Sequence, residues 1–452
     1  MFTSLILAAG MGTRMKSKMP KVIHKVCGKE LVKWVIDASR EAGAAEVVAV
    51  IGHKAEMVRP VIESDARIAI QSEQLGTGHA VMMAKEHIND GCVVILAGDT
   101  PLIRAETIKA AVEFHTAKGN SATVITAEMD DATGYGRIVR GADGSVLRIV
   151  EQKDASEEEK KIKEINSGMY VFDGAALKDA LTKLTPNNAQ GEYYLTDTLE
   201  ILRSAGKKIG GYTISDNDEI RGINNRVQLR EAEAVMQERI NKCHMMNGVT
   251  IVDPKSVFIS AETEIGADTV IASNVTIEGK TKIGEDCVIE MGSKLVDSEL
   301  GNGVHVTSSV ILKSSIGDGT SVGPFAYVRP GCRIGRNVKV GDFVEVKNDV
   351  IGDGTKISHL TYLGDSDIGK NVNFGCGTVT CNYDGKDKFR STIGNDVFVG
   401  CNTNFVSPVK VGDGAYIAAG STITDDIPDK ALAIARSRQT NKTDWKGNKY
   451  AK

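Results

Sequence analysis

From Ile259 to Ile423 the chain places an aliphatic or aromatic residue at every sixth position, and few folds accept that period. The series runs Ile259, Ile265, Ile271, Ile277, Ile283, Ile289 and Leu295, then Ile316, Val322, Val328, Ile334, Val340 and Val346. It resumes at Ile351, Ile357 and Leu363, again at Ile368 and Phe374, and closes as Ile393, Val399, Phe405, Val411, Ile417 and Ile423. Many of these residues precede Gly and a small turn residue, as in Ile283-Gly284-Glu285-Asp286 and Val411-Gly412-Asp413-Gly414. A helix repeats at about 3.6 residues and a flat strand at about two, so neither explains the pattern. A hexapeptide made of one short strand and one tight turn does, when one side chain per face points inward. The region is therefore expected to form a parallel β-helix.

The breaks carry information too. Between Phe374 and Ile393 the period fails, and Cys381-Asn382-Tyr383-Asp384-Gly385-Lys386-Asp387-Lys388 is polar. Such a stretch is expected to leave the coil as a loop, and loops on rigid scaffolds often hold function. The one-residue slips at Val346–Ile351 and Leu363–Ile368 are expected to be adjustments at corners.

The first half follows another grammar. Apolar runs at Ser4–Ala9, Glu46–Ile51, Val93–Ala97 and Ala122–Ala127 read as buried strands, with helical patterns at Leu31–Ala42 and Ala55–Ser64 between them. Alternating strands and helices imply a mostly parallel, Rossmann-like α/β sheet. A Gly- and Pro-free helical stretch from Arg226 to Met246 stops at Asn247-Gly248. These readings divide the chain into residues 1–225, a helical linker 226–246, and a β-helix 247–452 with a C-terminal tail. The segment Asp154–Glu164 reads as a solvated loop or short surface helix. The tail from Ser437 to Lys452, with Trp445 among lysines, is ill suited to a core.

Composition excludes some classes. A net charge of −4 gives no basic field for nucleic acid or membrane, so an anionic ligand must be held by local Lys and Arg. No stretch approaches the roughly 20 apolar residues of a membrane span, and the apolar run Leu5 to Ala9 is too short for a signal peptide. A cytoplasmic protein is expected. The eight cysteines include no C-x-x-C pair, which favours free thiols over a metal or disulfide role.

Chemistry begins at Leu7-Ala8-Ala9-Gly10-Met11-Gly12-Thr13-Arg14-Met15. A strand opens into a turn of small residues whose N–H groups can approach phosphate, with Arg14 and Lys21 as cations for a polyphosphate. The pattern lacks the third Gly of a dinucleotide fingerprint and the Gly-Lys-Ser/Thr of a Walker loop; an ordinary βα turn is the alternative. Leu96-Ala97-Gly98-Asp99-Thr100-Pro101 adds a carboxylate just after an apolar strand, at the edge where α/β sheets bind ligands. Asp99 there suits Mg²⁺ on phosphates; a helix cap is the alternative.

These residues, with Pro20-Lys21, resemble the sugar-nucleotide pyrophosphorylases. Further runs narrow the family: Gln74-Leu75-Gly76-Thr77-Gly78-His79-Ala80, Gly134-Tyr135-Gly136-Arg137-Ile138, Val150-Glu151-Gln152-Lys153 and Gly222-Ile223-Asn224-Asn225-Arg226. Joined to a hexapeptide β-helix, the whole chain resembles the bacterial bifunctional N-acetylglucosamine-1-phosphate uridyltransferase/glucosamine-1-phosphate acetyltransferases. The resemblance implies that Leu7, Ala8, Ala9, Gly10, Gln71, Gly76 and Thr77 line a uracil and ribose pocket. It also implies that Arg14 and Lys21 meet the triphosphate of UTP, that Asp99 and Asn224 hold Mg²⁺, and that Gly136, Glu151 and Asn166 contact N-acetylglucosamine 1-phosphate. Ala97 stands where many relatives carry an aromatic residue before Gly-Asp.

Amide formation from a thioester needs a base near the amine and donors for the oxyanion. Of the two histidines in the repeats, His305 and His359, His359 is the candidate base, because Arg329 and Lys347 lie in nearby coils and could bind a sugar phosphate. A structural His and solvated surface charges are the bland alternatives. The resemblance implies that His359 deprotonates glucosamine 1-phosphate, held by Arg329, Lys347, Tyr362, Asn373, Asn382 and Tyr383. It further implies that acetyl-CoA runs past Cys376, Cys401, Ala419 and Arg436, and that the parallel β-helix is left-handed and assembles as a homotrimer. Cys376 and Cys401 stand where relatives often carry Ala and Ser. Three rival readings are a pyrophosphorylase with an inert β-helix, a non-enzymatic subunit, and an acyltransferase with a degenerate first domain. Arg14, Lys21 and Asp99 argue against the last two, and the surroundings of His359 against the first.

Overall fold

The computed structural model describes residues 1–188, 190–443, 445 and 447. It divides into two compact units, Met1–Gln237 and Glu238–Lys452. Residues 444, 446 and 448–452, within the tail beyond Ser437, lie outside the described residues.

The first unit opens with β1 (Phe2–Ala8), α1 (Leu31–Glu41), β2 (Ala44–Ile51), α2 (Ala55–Ile62), β3 (Arg67–Ile70), α3 (Thr77–Met83), β4 (Cys92–Ala97) and α4 (Ala105–Lys118). It continues with β5 (Ala122–Glu128), β6 (Arg137–Arg140), β7 (Val146–Val150), β8 (Glu164–Asp173), α5 (Gly174–Leu181), α6 (Asp197–Ser204) and β9 (Ile209–Thr213). The sheet order is β9-β5-β8-β4-β1-β2-β3, with β6 and β7 as a hairpin off β8. The pairs β1/β2, β1/β4, β2/β3 and β5/β9 are parallel, and β8 runs antiparallel to both β4 and β5. Past α4 and its C-cap Gly119 the chain enters β5, which leaves one strand position between itself and β4; β8 fills it, antiparallel to both.

Successive strand residues face opposite layers. Ile6, Ala49, Ile51, Val94 and Leu96 pack with Val32, Val35, Ile62 and Ile108 of α1, α2 and α4. Leu5, Val48, Val50, Val93 and Ile95 pack with Val81, Leu177, Leu181 and Leu202 of α3, α5 and α6. Each fully buried aliphatic side chain contributes roughly 1.5–3 kcal/mol. The segment Asp154–Glu164 holds only one 3₁₀ turn, Glu159–Lys161, before β8 begins at Glu164.

The helix α7 (Arg226–Met246) ends before Gly248, which takes φ 93°. Its residues up to Gln237 belong to the first unit and those from Glu238 to the second. Ala232 and Met236 are buried, and the Cys27 thiol donates to the Glu233 carbonyl at 3.7 Å. Farther along, Asn241 Nδ2 donates to the carbonyls of Pro254 and Val257 at 2.8 and 3.1 Å.

In the second unit every strand pairs in parallel with the strand one coil later, giving three sheets of 11, 10 and 9 strands. Their inward columns are Ile271-Ile289-Val306-Val322-Val340-Ile357-Phe374-Val399-Ile417, Ile259-Ile277-Leu295-Ile311-Val328-Val346-Leu363, and Ile265-Ile283-Leu300-Ile316-Ile334-Ile351-Ile368-Ile393-Val411. The repeat extends beyond the expected limits, from Ile251 to Ala433, and Leu300, Val306 and Ile311 fill the gap between Leu295 and Ile316 with shorter corners. In the third sheet each inward residue precedes Gly because coils close in there: a Cβ on Gly284 would lie 2.7 Å from the Gly301 carbonyl carbon. The slip after Val346 makes room for Asp349, fully buried, whose carboxylate accepts from the N–H groups of Lys347 (3.2 Å) and Ser366 (2.7 Å). The polar segment after Cys381 leaves the coil, with Tyr383 and Lys388 forming an antiparallel bridge.

Candidate functional sites

The first site lies at the carboxyl ends of β1 and β4, where the chain after β1 runs toward β2 and the chain after β4 runs the other way along the sheet, toward β5. The turn after β1 requires Gly12: its φ is 59°, and a Cβ there would stand 2.6 Å from Lys21 Cβ. That close approach sets Lys21 against Asp99, at the end of β4, in an ion pair. The same ammonium donates to Asn224 Oδ1 at 3.1 Å, and Arg14 Nη2 donates to that oxygen at 2.9 Å. The Ile223 N–H binds the Asp99 carbonyl at 2.9 Å, which ties the Asn224 loop to β4. Asp99 does not cap α4, whose N-cap position is Arg104. Two oxygen donors thus converge on one cation, here the lysine ammonium. A hard divalent ion with oxygen preferences fits that donor set, leaving further positions for phosphate and water.

Beside it, Gln71 is buried and donates from Nε2 to the Gly76 carbonyl at 3.0 Å. Gly76 takes φ 105°, and the Thr77 hydroxyl accepts from the Leu195 N–H at 3.1 Å, so these residues fix the start of α3. On the other flank Gly136, Glu151 and Asn166 come together: the Asn166 N–H binds the Gly136 carbonyl at 2.8 Å, and a Cβ on Gly136 would lie 3.4 Å from Glu151 Oε1. Burial, with Asp154 nearby, raises the Glu151 carboxyl above its usual range. Tyr170, fully enclosed, exchanges hydrogen bonds with the Asn166 amide at 3.0 and 3.2 Å, a support that sequence reasoning missed.

The second site sits on the β-helix. One corner carries, coil after coil, Asp342, His359, Cys376, Cys401 and Ala419, as shown by the N–H donations from Leu360 to Asp342, Gly377 to Leu360, Asn402 to Cys376 and Gly420 to Cys401. The candidate base and the candidate acetyl-CoA residues thus share a corner, and Arg436 Cδ would stand 3.9 Å from a Cβ on Gly420. His359 Nδ1 and Asp342 Oδ1 are 2.5 Å apart. His305 differs, because its Nε2 meets Glu290 Oε1 at 2.8 Å.

The next sheet gathers the cations. Arg329 Nη1 donates to Glu345 Oε1 at 2.9 Å, and Lys347 Nζ to Asp365 Oδ2 at 2.9 Å. Asn382 Nδ2 donates to the same Asp365 oxygen at 2.6 Å. A Cβ on Gly364 would be 2.5 Å from the Tyr362 hydroxyl and 2.8 Å from Asn382 Nδ2, so Gly364 keeps this floor open. Burial raises the Asp365 carboxyl, but the bonds from Asn348, Lys347 and Asn382 outweigh it and hold it below the carboxylate range. The hydrogen bond to Asp365 raises the Lys347 ammonium. Lys388, on the extruded loop, is lowered by its side-chain contact with Lys347 and then by the like charge there. Asn373 lies elsewhere, on the first sheet above Lys356, and Tyr383 bonds within its own loop, to the Gly385 carbonyl at 2.6 Å. Sequence reasoning missed Asp342, Glu345, Asp365 and Lys388. Counting one coil back from His359 or Tyr362, or one coil on from Lys347, would have found the first three. All eight cysteines are free.

Residues 3–218 match the nucleotidyl transferase family, and residues 262–297, 313–348 and 390–425 match the bacterial transferase hexapeptide repeats. The bifunctional protein GlmU of Caldanaerobacter subterraneus subsp. tengcongensis is 58% identical over 443 residues, covering 98% of this chain and 97% of that one. Its counterpart in Acetivibrio thermocellus is 58% identical over 444 residues, covering 98% and 96%. The one in Clostridioides difficile is 54% identical over 452 residues, covering 100% and 98%. Sheet, β-helix and full-length likeness agree: the chain belongs to the bifunctional GlmU family, with a nucleotidyl transferase and a hexapeptide acetyltransferase of UDP-N-acetylglucosamine synthesis on one polypeptide.

Proposed function

We propose that two separate sets of residues carry the two transfers. In the first unit, N-acetylglucosamine 1-phosphate attacks the α-phosphorus of UTP in line, and pyrophosphate leaves. The observation that carries this reading is the meeting of Arg14, Lys21, Asp99 and Asn224 at one point. Arg14 and Lys21 neutralise the triphosphate. Asp99 and Asn224 hold Mg²⁺, which supplies charge neutralisation on the phosphates when bound. Leu7, Ala8, Ala9 and Gly10 present backbone groups to the nucleoside. Gln71, whose Nε2 is committed to Gly76, keeps Oε1 to accept from the uracil ring, and Thr77 shapes that pocket. Gly136, Glu151 and Asn166 bind the amino sugar. Little proton chemistry is needed, so positioning and electrostatics supply the rate.

In the second unit, glucosamine 1-phosphate is acetylated beforehand. Arg329, Lys347 and Lys388 bind its phosphate, with Tyr362, Asn382 and Tyr383 around the sugar. His359 takes the proton as the amine nitrogen bonds to the thioester carbon; the C–S bond then breaks, and the proton passes to the departing thiolate of CoA. Acetyl-CoA lies along Cys376, Cys401, Ala419 and Arg436. The β-helix acts as a homotrimer, which would cover the exposed Phe325–Phe343 stack (centroids 5.4 Å apart) and Leu360. No helix among the described residues is long and apolar enough to cross a membrane, and the charged, water-soluble substrates favour action in the cytoplasm.

The test is CoA release from acetyl-CoA with glucosamine 1-phosphate and no UTP. Release that requires the amino sugar and collapses in His359→Ala supports the reading. No release from folded wild type would leave a single-function pyrophosphorylase.

A further inference from the structure

We infer that Asp342 is the positioning residue of His359: its carboxylate holds the imidazole Nδ1–H and leaves Nε2 to receive the proton of the substrate amine. The inference rests on the reading of His359 as the base, and it adds a residue that lies outside the sequence motifs.

The pairing is built into the coil. Asp342 and His359 are register partners at the ends of two four-residue strands, Lys339–Asp342 and Lys356–His359, where many strands of this β-helix have only two. Carrying the ladder that far needs Gly341, since a Cβ there would run into the Ser358 carbonyl. The Leu360 N–H then binds the Asp342 carbonyl at 3.0 Å, and the Thr361 hydroxyl binds the His359 carbonyl at 2.7 Å, so both backbones are pinned. With the main chains held, the side chains meet at 2.5 Å.

The other acids nearby are committed. Glu345 serves Arg329, and Asp365 serves Lys347, Asn348 and Asn382. Among the described residues the Asp342 side chain hydrogen-bonds to no side chain but His359. That bond, with the charge of Lys339 behind it, holds the Asp342 carboxyl below its ordinary range, so it stays an anion.

The consequence is chemical. A neutral imidazole carries its proton on one nitrogen, and the partner of that nitrogen decides which one. An anion at Nδ1 selects the Nδ1–H tautomer, frees the Nε2 lone pair, prevents a ring flip, and stabilises the imidazolium formed when the amine is deprotonated. His359 Nε2 has no protein partner among the described residues, and the side chain is 56% exposed. His305 presents the opposite case, its Nε2 already engaged by Glu290.

The experiment compares wild type, His359→Ala, Asp342→Leu and Asp342→Asn in the full-length enzyme. Acetyl transfer and uridylyl transfer are measured on the same samples, and sedimentation reports assembly. Asp342→Leu should lower kcat for acetyl transfer by roughly 10- to 100-fold, with KM for both substrates changed by less than about twofold. Asp342→Asn, which still accepts from Nδ1–H but carries no charge, should fall between. Nitrogen-15 spectra of labelled histidine should show neutral His359 as Nδ1–H in wild type and as a tautomer mixture in Asp342→Leu. A wild-type kcat in Asp342→Leu, an unchanged tautomer, or a loss confined to KM would overturn the assignment. Should His359→Ala itself keep full acetyl transfer, the base reading fails, and that outcome is distinct from failure at Asp342 alone.

Discussion

The ammonium of Lys21 rests on the carboxylate of Asp99, and the absence of a side chain at Gly12 leaves Lys21 the room to reach it. With Asn224 Oδ1 also on that ammonium, the free enzyme already pairs its oxygen donors with a cation. An uncompensated Asp99 beside a half-enclosed turn would repel the triphosphate; the lysine removes that penalty until substrate arrives.

Lys21→Ala should lower kcat for uridylyl transfer by about 10²–10³-fold, the loss seen when one preorganised charge donor is removed. Acetyl transfer by the same protein should stay at wild-type rate. A pyrophosphate-release assay beside a CoA-release assay checks both, and equal losses in the two would count against separate sites.

Gly12→Ala should damage the first site without unfolding the chain. At φ 59° an alanine is strained, by about 1–2 kcal/mol, and its methyl group would displace Lys21. KM for UTP should rise along with the fall in kcat, whereas Gly10→Ala, where a Cβ meets nothing within 4 Å, should be milder. Steady-state kinetics of the two variants decide this.

Arg329→Ala and Lys388→Ala should each raise KM for glucosamine 1-phosphate by about 10-fold, the worth of one charged hydrogen bond. Contact with Lys347 and its like charge lower Lys388, and an anion placed between the two would relieve that repulsion. Inorganic phosphate should therefore compete with the sugar phosphate in wild type and less well in Lys388→Ala, as inhibition constants will show.

Asp349 should make the β-helix less stable as pH rises. Burial pushes its carboxyl from 3.8 up to about 7. Between those values the unfolded chain has released the proton while the folded one keeps it, so stability falls with pH and levels off above about 7. Relative to Asp349→Asn, wild type should lose on the order of 3–4 kcal/mol between pH 4 and 7.5. Guanidinium unfolding of both proteins across that range would show it, and parallel curves would contradict it.

The β-helix was legible because its inward positions recur at a fixed interval, and an inward aliphatic residue is needed on every face of every coil. Its shorter turns were not: Leu300, Val306 and Ile311 fall off the six-residue count, since corners can lose a residue while the parallel register holds. In the first unit the buried strands declared themselves, but the antiparallel β8 did not, because strand direction depends on partners far away in the chain.

What the amino-acid order alone determined is the local chemistry: the Gly-rich turn after β1, the carboxylate after β4, the repeat, and the polar loop that interrupts it. Only the tertiary structure decided which side chains share a charge. Lys21 is 78 residues from Asp99 and Arg14 is 210 from Asn224, and no local pattern links them. The coil stacks Asp342 under His359 and Asp365 against Lys347, 17 and 18 residues apart. Hydrogen-bond and Coulomb energies depend on separation in space, and chain folding sets that separation.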